Sequence, residues 1–275
     1  MIPPGAGTVI DGRYRLLGRI GRGATSEIWR ADDQDGGRTV AVKLLHPSLA
    51  HDPELLARFR QELESTRRIV HPNVVRVLGG GRSVGGTAYL VMDEVLGRQL
   101  SQVAATEAPL DPHRVANIGR QVAAGLGAAH AQGVVHRDLK PENVLIHRTD
   151  AGDGVVLFDF GFAGGEFGAS ITGHDVRIGT AGYMAPEYTA RGAFDERSDL
   201  YALGVVLYEL AAGEMPFLGP PSKVFRAQAT RPAPPLAERC SAPGWLCGAV
   251  DHLLQRSPEE RTPTAERAIA ELTPP

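Results

Sequence analysis

Cysteine is nearly absent from this 275-residue chain. Cys240 and Cys247 are the only two, so there is no disulfide framework, and neither has a His or Cys partner at zinc-ligand spacing. A reducing cytoplasm suits such a sequence. An apolar run long enough to cross a membrane is also missing: the most apolar stretch, residues 200–213, carries Glu209 and falls short of the ~20 residues a spanning helix needs. The N-terminal residues MIPPGAGTVIDGRYR hold no apolar signal core. There is no excess of positive charge either. The net charge of −3 argues against a nucleic-acid partner, and 43% hydrophobic residues exclude a disordered chain. No internal repeat or low-complexity linker occurs. The expectation is a soluble cytoplasmic chain with no membrane segment, either free-standing or the cytoplasmic domain of a longer membrane protein.

What is present divides the chain into two parts, for which 275 residues is a comfortable length. The stretches YRLLGRIGRG and SEIWRADD alternate like strands on either side of a glycine-rich turn, and RTVAVKLLH follows as a third strand. VVRVLGGG and AYLVMDEV add two more, which predicts a five-stranded antiparallel sheet. Between them, Asp52-Pro53 supplies an N-cap and a first-turn proline, and Leu55, Phe59, Glu62, Thr66 and Ile69 recur at helical spacing. The strand signals stop near Gly97. Thereafter Asp111-Pro112 opens a helix with Val115, Ile118, Val122, Leu126 and Ala129 on its apolar face, closed by Gly133. Leu200, Leu203, Val206, Leu207 and Leu210 make a second buried helix, and PGWLCGAVDHLLQRS and TAERAIAEL supply the last two. The reading is an α+β fold: residues 1–96 mostly sheet, residues 97–275 mostly helix.

Several polar residues stand where apolar neighbours hold them in place. The loop HRDLKPEN, residues 136–143, lies between Val134-Val135 and Val144-Leu145-Ile146, both read as short buried strands. Lys43 shares a strand face with Ala41 and Leu45, and Glu62 sits on the apolar stripe of the following helix; a buried cation needs a partner, and these two charges can meet. Asp159 stands at the end of the apolar run VVLFDF, where something positive must offset its charge. Asp159 and Asn143 offer hard oxygen ligands suited to Mg²⁺ carried by nucleotide phosphates. The turn IGRGATSEI lets the backbone approach a ligand closely, although Ser26 replaces the third glycine of a G-x-G-x-x-G pattern and no Walker G-K-[ST] end follows.

Taken in order, GRGATSEI, VAVK, HRDLKPEN, DFG and APE resemble the signature set of protein kinases, from about Tyr14 to Leu272. The lysine of HRDLKPEN and the segment GTAGYMAPE are similar to the serine/threonine members, and Ser26-Glu27-Ile28 is familiar among the bacterial, Hanks-type ones. The resemblance implies a two-lobed kinase fold: residues 1–96 as a lobe of five antiparallel strands and one helix, and residues 97–275 as a mainly helical lobe. It implies transfer of the ATP γ-phosphate to Ser/Thr hydroxyls of protein substrates. Asp138 would be the base, Lys140 would neutralise the moving phosphoryl group, and Asn143 and Asp159 would hold Mg²⁺, with Mn²⁺ as a substitute. Lys43 would bind the α- and β-phosphates while Glu62 fixes it. Gly21, Gly23 and Ser26 would cover the nucleotide, whose adenine would meet Ile20, Ile28, Ala41 and Leu145 and the backbone of Asp93 to Val95, with Met92 as gatekeeper. Glu187 would pair with Arg261, and Asp199 would brace the catalytic loop.

The resemblance also implies control by phosphorylation within the segment from Phe162 to Met184. Thr180 would belong to the substrate platform, which leaves Ser170 and Thr172, and Thr172 has the spacing of an activating phosphothreonine. Autophosphorylation in a transient homodimer fits that site. Two other readings are open. An aminoglycoside-type small-molecule phosphotransferase would lack Arg137 and the APE segment, and a pseudokinase scaffold would lack the lysine, the base or a metal ligand.

Overall fold

The computed structural model describes residues 4–23, 25–49, 51–150, 152–160, 180–191 and 194–275. The chain divides into two compact units, one formed by Met1–Val70 and Val75–Leu96, the other by His71–Val74 and Gly97–Pro275.

The first unit is an antiparallel sheet of β1 (Val9–Ile10), β2 (Tyr14–Arg22), β3 (Ser26–Asp33), β4 (Arg38–Leu45), β5 (Val77–Arg82) and β6 (Ala88–Asp93), in the order β1-β2-β3-β4-β6-β5. The five expected strands therefore gain a sixth at one edge, where Val9 pairs with Arg15 and Ile10 with Tyr14. Two residues are too few for an alternating pattern to show in sequence. β5 starts at Val77 and not at Val74, because Val74 bridges to Leu157 within the second unit. Trp29 and Ala31 on β3 and Val40, Val42 and Leu44 on β4 point to one buried face, the period of two that a half-buried sheet requires.

The helix of this unit, α1 (Pro53–Arg67), is capped as its sequence predicts: the Asp52 carboxylate accepts from the amides of Glu54 and Leu55 at 2.9 and 3.2 Å. It buries Phe59, Glu62 and Thr66. Close approach of α1 to β5 depends on Gly80, where a β-carbon would stand 2.5 Å from the Tyr89 carbonyl oxygen and 3.1 Å from a Leu63 methyl.

The second unit contains α2 (Leu100–Glu107), α3 (Pro112–His130), α4 (Pro186–Arg191), α5 (Glu196–Ala212), α6 (Pro221–Thr230), α7 (Gly244–Leu253) and α8 (Ala265–Glu271). A small sheet orders β7 (Arg98–Gln99), β8 (Val144–Thr149) and β9 (Gly152–Leu157) side by side. Val134 and Val135 form no strand, contrary to expectation. The Val134 amide donates back to Ala129 across Gly133, whose φ is +70°, so the pair belongs to the C-terminal cap of α3. β9 likewise ends at Leu157, which leaves Asp159 in a loop and not on a strand. Helix α3 packs against α5 and α8 through Gly119, where a β-carbon would come within 3.0 Å of Leu207 and 2.9 Å of Leu272. The middle of α5 is buried on all sides, which accounts for its unbroken apolar run.

Arg261 ties the chain's C-terminal part to α4. It is 2% exposed and donates twice to the Glu187 carboxylate, at 2.7 and 2.9 Å, and once each to the carbonyls of Arg197 and Gln255. Burial opposes the Glu187 charge, but the guanidinium outweighs it and holds the carboxyl below its usual pKa. A depressed folded-state value means the pair contributes its full stability above the unfolded glutamate pKa of about 4.3 and loses it as pH falls through the folded value. Arg261→Ala is expected to cost roughly 3 kcal/mol at neutral pH in urea unfolding, because it strands a part-buried carboxylate. The gap between parent and variant should narrow below pH ~4; an equal gap at every pH would contradict the ion-pair account.

Candidate active site

In the second unit, the loop between α3 and β8 is organised around one buried acid. Asp199, 1% exposed on the first turn of α5, accepts from the backbone amides of His136 at 2.8 Å and Arg137 at 2.9 Å, and lies 2.8 Å from His130 Nε2. The α5 N-terminus suits an anion at that position. Arg137 adopts φ +67°, a strained value for a residue with a side chain, and the two amide bonds hold it there. Its Nε is buried with no hydrogen-bond partner among the described residues.

His136 is fully buried and locks the loop from the other side. Its Nε2 lies 3.1 Å from the Phe158 carbonyl, which can only accept, so that nitrogen carries the proton. The ring packs against Phe160 in a tilted contact, with centroids 4.5 Å apart and planes at 49°. Sequence reasoning passed over His136 and His130, although the first stands inside the quoted motif; what each touches is set by residues 22 or more positions away.

These braces present Asp138. Lys140 Nζ donates to both of its carboxylate oxygens, at 2.7 and 2.9 Å. Asn143, 5% exposed, donates from Nδ2 to the Asp138 carbonyl at 2.8 Å and to its carboxylate at 3.0 Å. With Nδ2 so committed, the Asn143 side-chain oxygen, Oδ1, remains available as an acceptor or a metal ligand. Asp159 follows β9 at φ +62°, a second strained non-glycine position close to the loop in sequence. Among the described residues no group of three His, Cys, Asp or Glu could hold a metal by itself. An Asn–Asp oxygen pair fits instead a hard cation that brings the rest of its ligands with a phosphate.

In the first unit, Lys43 and Glu62 meet as the sequence suggested: the ammonium donates to the carboxylate at 2.7 Å, with the side chains 3% and 4% exposed. Ala41 is the cross-strand partner of Met92, and Ile28 that of Lys43, so these residues line adjacent strands. The glycine-rich turn closes through the Gly23 amide donating to the Ser26 carbonyl at 2.8 Å. Glu27, in the stretch that departs from the glycine pattern, accepts from Arg19 at 2.8 Å across the hairpin. Ile20 stays 57% exposed. Ser170, Thr172 and Gly161 of DFG lie outside the described residues.

A carboxylate clamped by a lysine and an amide on a braced loop, with a buried Lys–Glu pair upstream in the chain, is an arrangement of the protein kinase class. The family model for the protein kinase domain matches residues 14–271, and the chain belongs to that family. It is 35% identical to serine/threonine-protein kinase pkn3 of Myxococcus xanthus over 97% of its length, and 37% identical to PknB of Mycobacterium tuberculosis over 96%. It spans about half the length of these curated relatives, 50% and 43% respectively. Its fold is similar to the crystal structure of the M. tuberculosis PknI kinase domain, with TM-score 0.75, 27% identity and 98% of each chain covered. Kinases of this family use ATP and a divalent metal. Among the described residues no helix is long and apolar enough to cross a membrane.

Two charge-assisted hydrogen bonds at about 1.5 kcal/mol each hold the amides of His136 and Arg137 on Asp199. Asp199→Ala should therefore speed hydrogen exchange of these two amides by roughly a hundredfold, read by NMR or mass spectrometry. Unchanged protection there would mean that the loop is held by something else.

Proposed function

We propose that this chain transfers the γ-phosphate of ATP to Ser or Thr hydroxyls of protein substrates. The observation that carries this reading is the Asp138 carboxylate, oriented by Lys140 at 2.7 Å and by Asn143 at 3.0 Å on a loop fixed to Asp199. In this reading Asp138 accepts the proton of the attacking hydroxyl and aligns its oxygen for in-line attack. Lys140, already at that carboxylate, follows the charge onto the transferring group. Asn143 and Asp159 would hold Mg²⁺, with Mn²⁺ as a substitute, and such an ion would supply positive charge against the charge that builds on the phosphate oxygens.

The first unit is assigned the nucleotide. Lys43 faces the α- and β-phosphates, and Glu62 keeps its ammonium from wandering. Gly21, Gly23 and Ser26 lie over the phosphates, and Ile20, Ile28, Ala41 and Met92 contact the base. The backbone of Asp93 to Val95 supplies its hydrogen bonds. Lys43, Asp138, Asn143 and Asp159 are all present in the sequence, against a pseudokinase, and Arg137 with the APE segment weighs against a small-molecule phosphotransferase.

Activation by autophosphorylation belongs to the same proposal. Arg137 is a cation whose Nε is buried without a partner among the described residues, and a phosphate supplies two negative charges and several acceptors. Thr172 is the favoured site, with Ser170 second, modified in a transient homodimer. A cytoplasmic location completes the reading.

With Mg²⁺, labelled ATP and a generic basic protein, the parent chain is expected to incorporate label. Asp138→Asn and Lys43→Met should each lower the rate on the order of a hundredfold or more, since both groups act in the transition state. Rates equal to the parent in both variants would remove the assignment. After incubation with ATP, phosphosite mapping should find Thr172 modified, and Thr172→Ala should slow the reaction; an unmodified segment in a fully active enzyme would exclude this switch.

A further inference from the structure

The two cysteines play no part in the site above, yet they share one seam of the second unit. Cys247 lies in the first turns of α7, 5% exposed, with Sγ donating to the Ala242 carbonyl at 3.4 Å. Cys240 is half-buried, and its Sγ donates to the Leu236 carbonyl at 3.7 Å. The Leu236 amide in turn donates at 3.0 Å to the carboxylate of Asp251, one helical turn beyond Cys247 on the same face of α7. The segment from Leu236 to Ala242 is thus pinned along that face at both ends, through Asp251 and through Cys247. Cys240 stands between the two pins.

We propose that Cys240 and Cys247 form an oxidative modification site, at which a hydroperoxide converts the two thiols into an intramolecular disulfide. The order of events follows from exposure. The Cys240 sulfur, which solvent reaches, attacks the peroxide oxygen as thiolate; the O–O bond breaks, one water or alcohol leaves, and a sulfenic acid remains. The Cys247 sulfur then attacks the Cys240 sulfur. The S–S bond forms, the S–O bond breaks, and the hydroxyl departs as water with the Cys247 proton. Each sulfur gives up one electron, and the peroxide takes both.

Burial, and then the neighbouring Cys240 and Asp251, push the Cys247 thiol above its usual pKa, which suits a resolving thiol better than a first attacker. The chemistry is independent of phosphoryl transfer.

The test needs no kinase assay. Arg239 and Arg256 bracket both cysteines with no Lys or Arg between, so trypsin releases them in one peptide, residues 240–256. The reduced chain is treated with hydrogen peroxide, unfolded, alkylated and digested. The expected product is that peptide lighter by two hydrogens and carrying no alkyl label, with dithiothreitol restoring both labels. In Cys240→Ala, checked for folding by circular dichroism, Cys247 should keep its label at the same peroxide dose. Two alkylated thiols after peroxide, a Cys240 halted at sulfenic or sulfinic acid beside a free Cys247, or disulfide-linked dimers would each overturn the proposal.

Discussion

The amides of His136 and Arg137 converge on the Asp199 carboxylate, and the order of the loop at 136–143 hangs on that convergence. A buried carboxylate is costly unless donors surround it. Asp199 meets this with two backbone amides, His130 and the N-terminal turn of α5. In return, the loop backbone is held at a φ that Arg137 would not otherwise adopt. His136 adds a second fixed point through Phe158 and Phe160. Asp138, between these anchors and Asn143, has little freedom left, so the base proposed for this chain need not be ordered during the reaction.

The same logic of paired charge recurs away from the loop. Lys43 with Glu62, and Arg261 with Glu187, are ions removed from water that persist because each finds its opposite at 2.7 Å. Their partners are 19 and 74 positions apart in the chain, so neither pair forms until its unit has folded. Tyr183 shows a milder version. Its hydroxyl donates to the half-buried Glu209 at 2.6 Å, and burial raises the pKa of both groups. That contact, with Gln228 donating to the Gly182 carbonyl at 2.8 Å, fixes the backbone just before the APE segment.

The cysteine pair follows a different rule. Two weakly hydrogen-bonded thiols share one seam, an arrangement with chemical capacity in reserve. Their spacing of seven residues says little alone, and the bond from Leu236 to Asp251 is what lays Cys240 against the face of α7.

Local signals fixed much of this protein in advance. The caps at Asp52 and Asp111, the alternation in β3 and β4, and the order of Lys43, Glu62, Asp138, Asn143 and Asp159 could all be read because each depends on neighbours within a few residues or on a motif with few substitutes. The short elements could not. Val9–Ile10 became a strand only because β2 offered it an edge, and Val134 was drawn into a helix cap by Ala129. What His130, His136, Gln228 and Tyr183 do was decided by tertiary structure alone, since each has its partner on a different element and a side chain's hydrogen bonds belong to whatever folding brings within 3 Å or so. The sequence by itself determined which chemical groups this chain possesses and in what order; tertiary structure decided which of them are held still, because only packing can exclude the water that would otherwise satisfy every one of them separately.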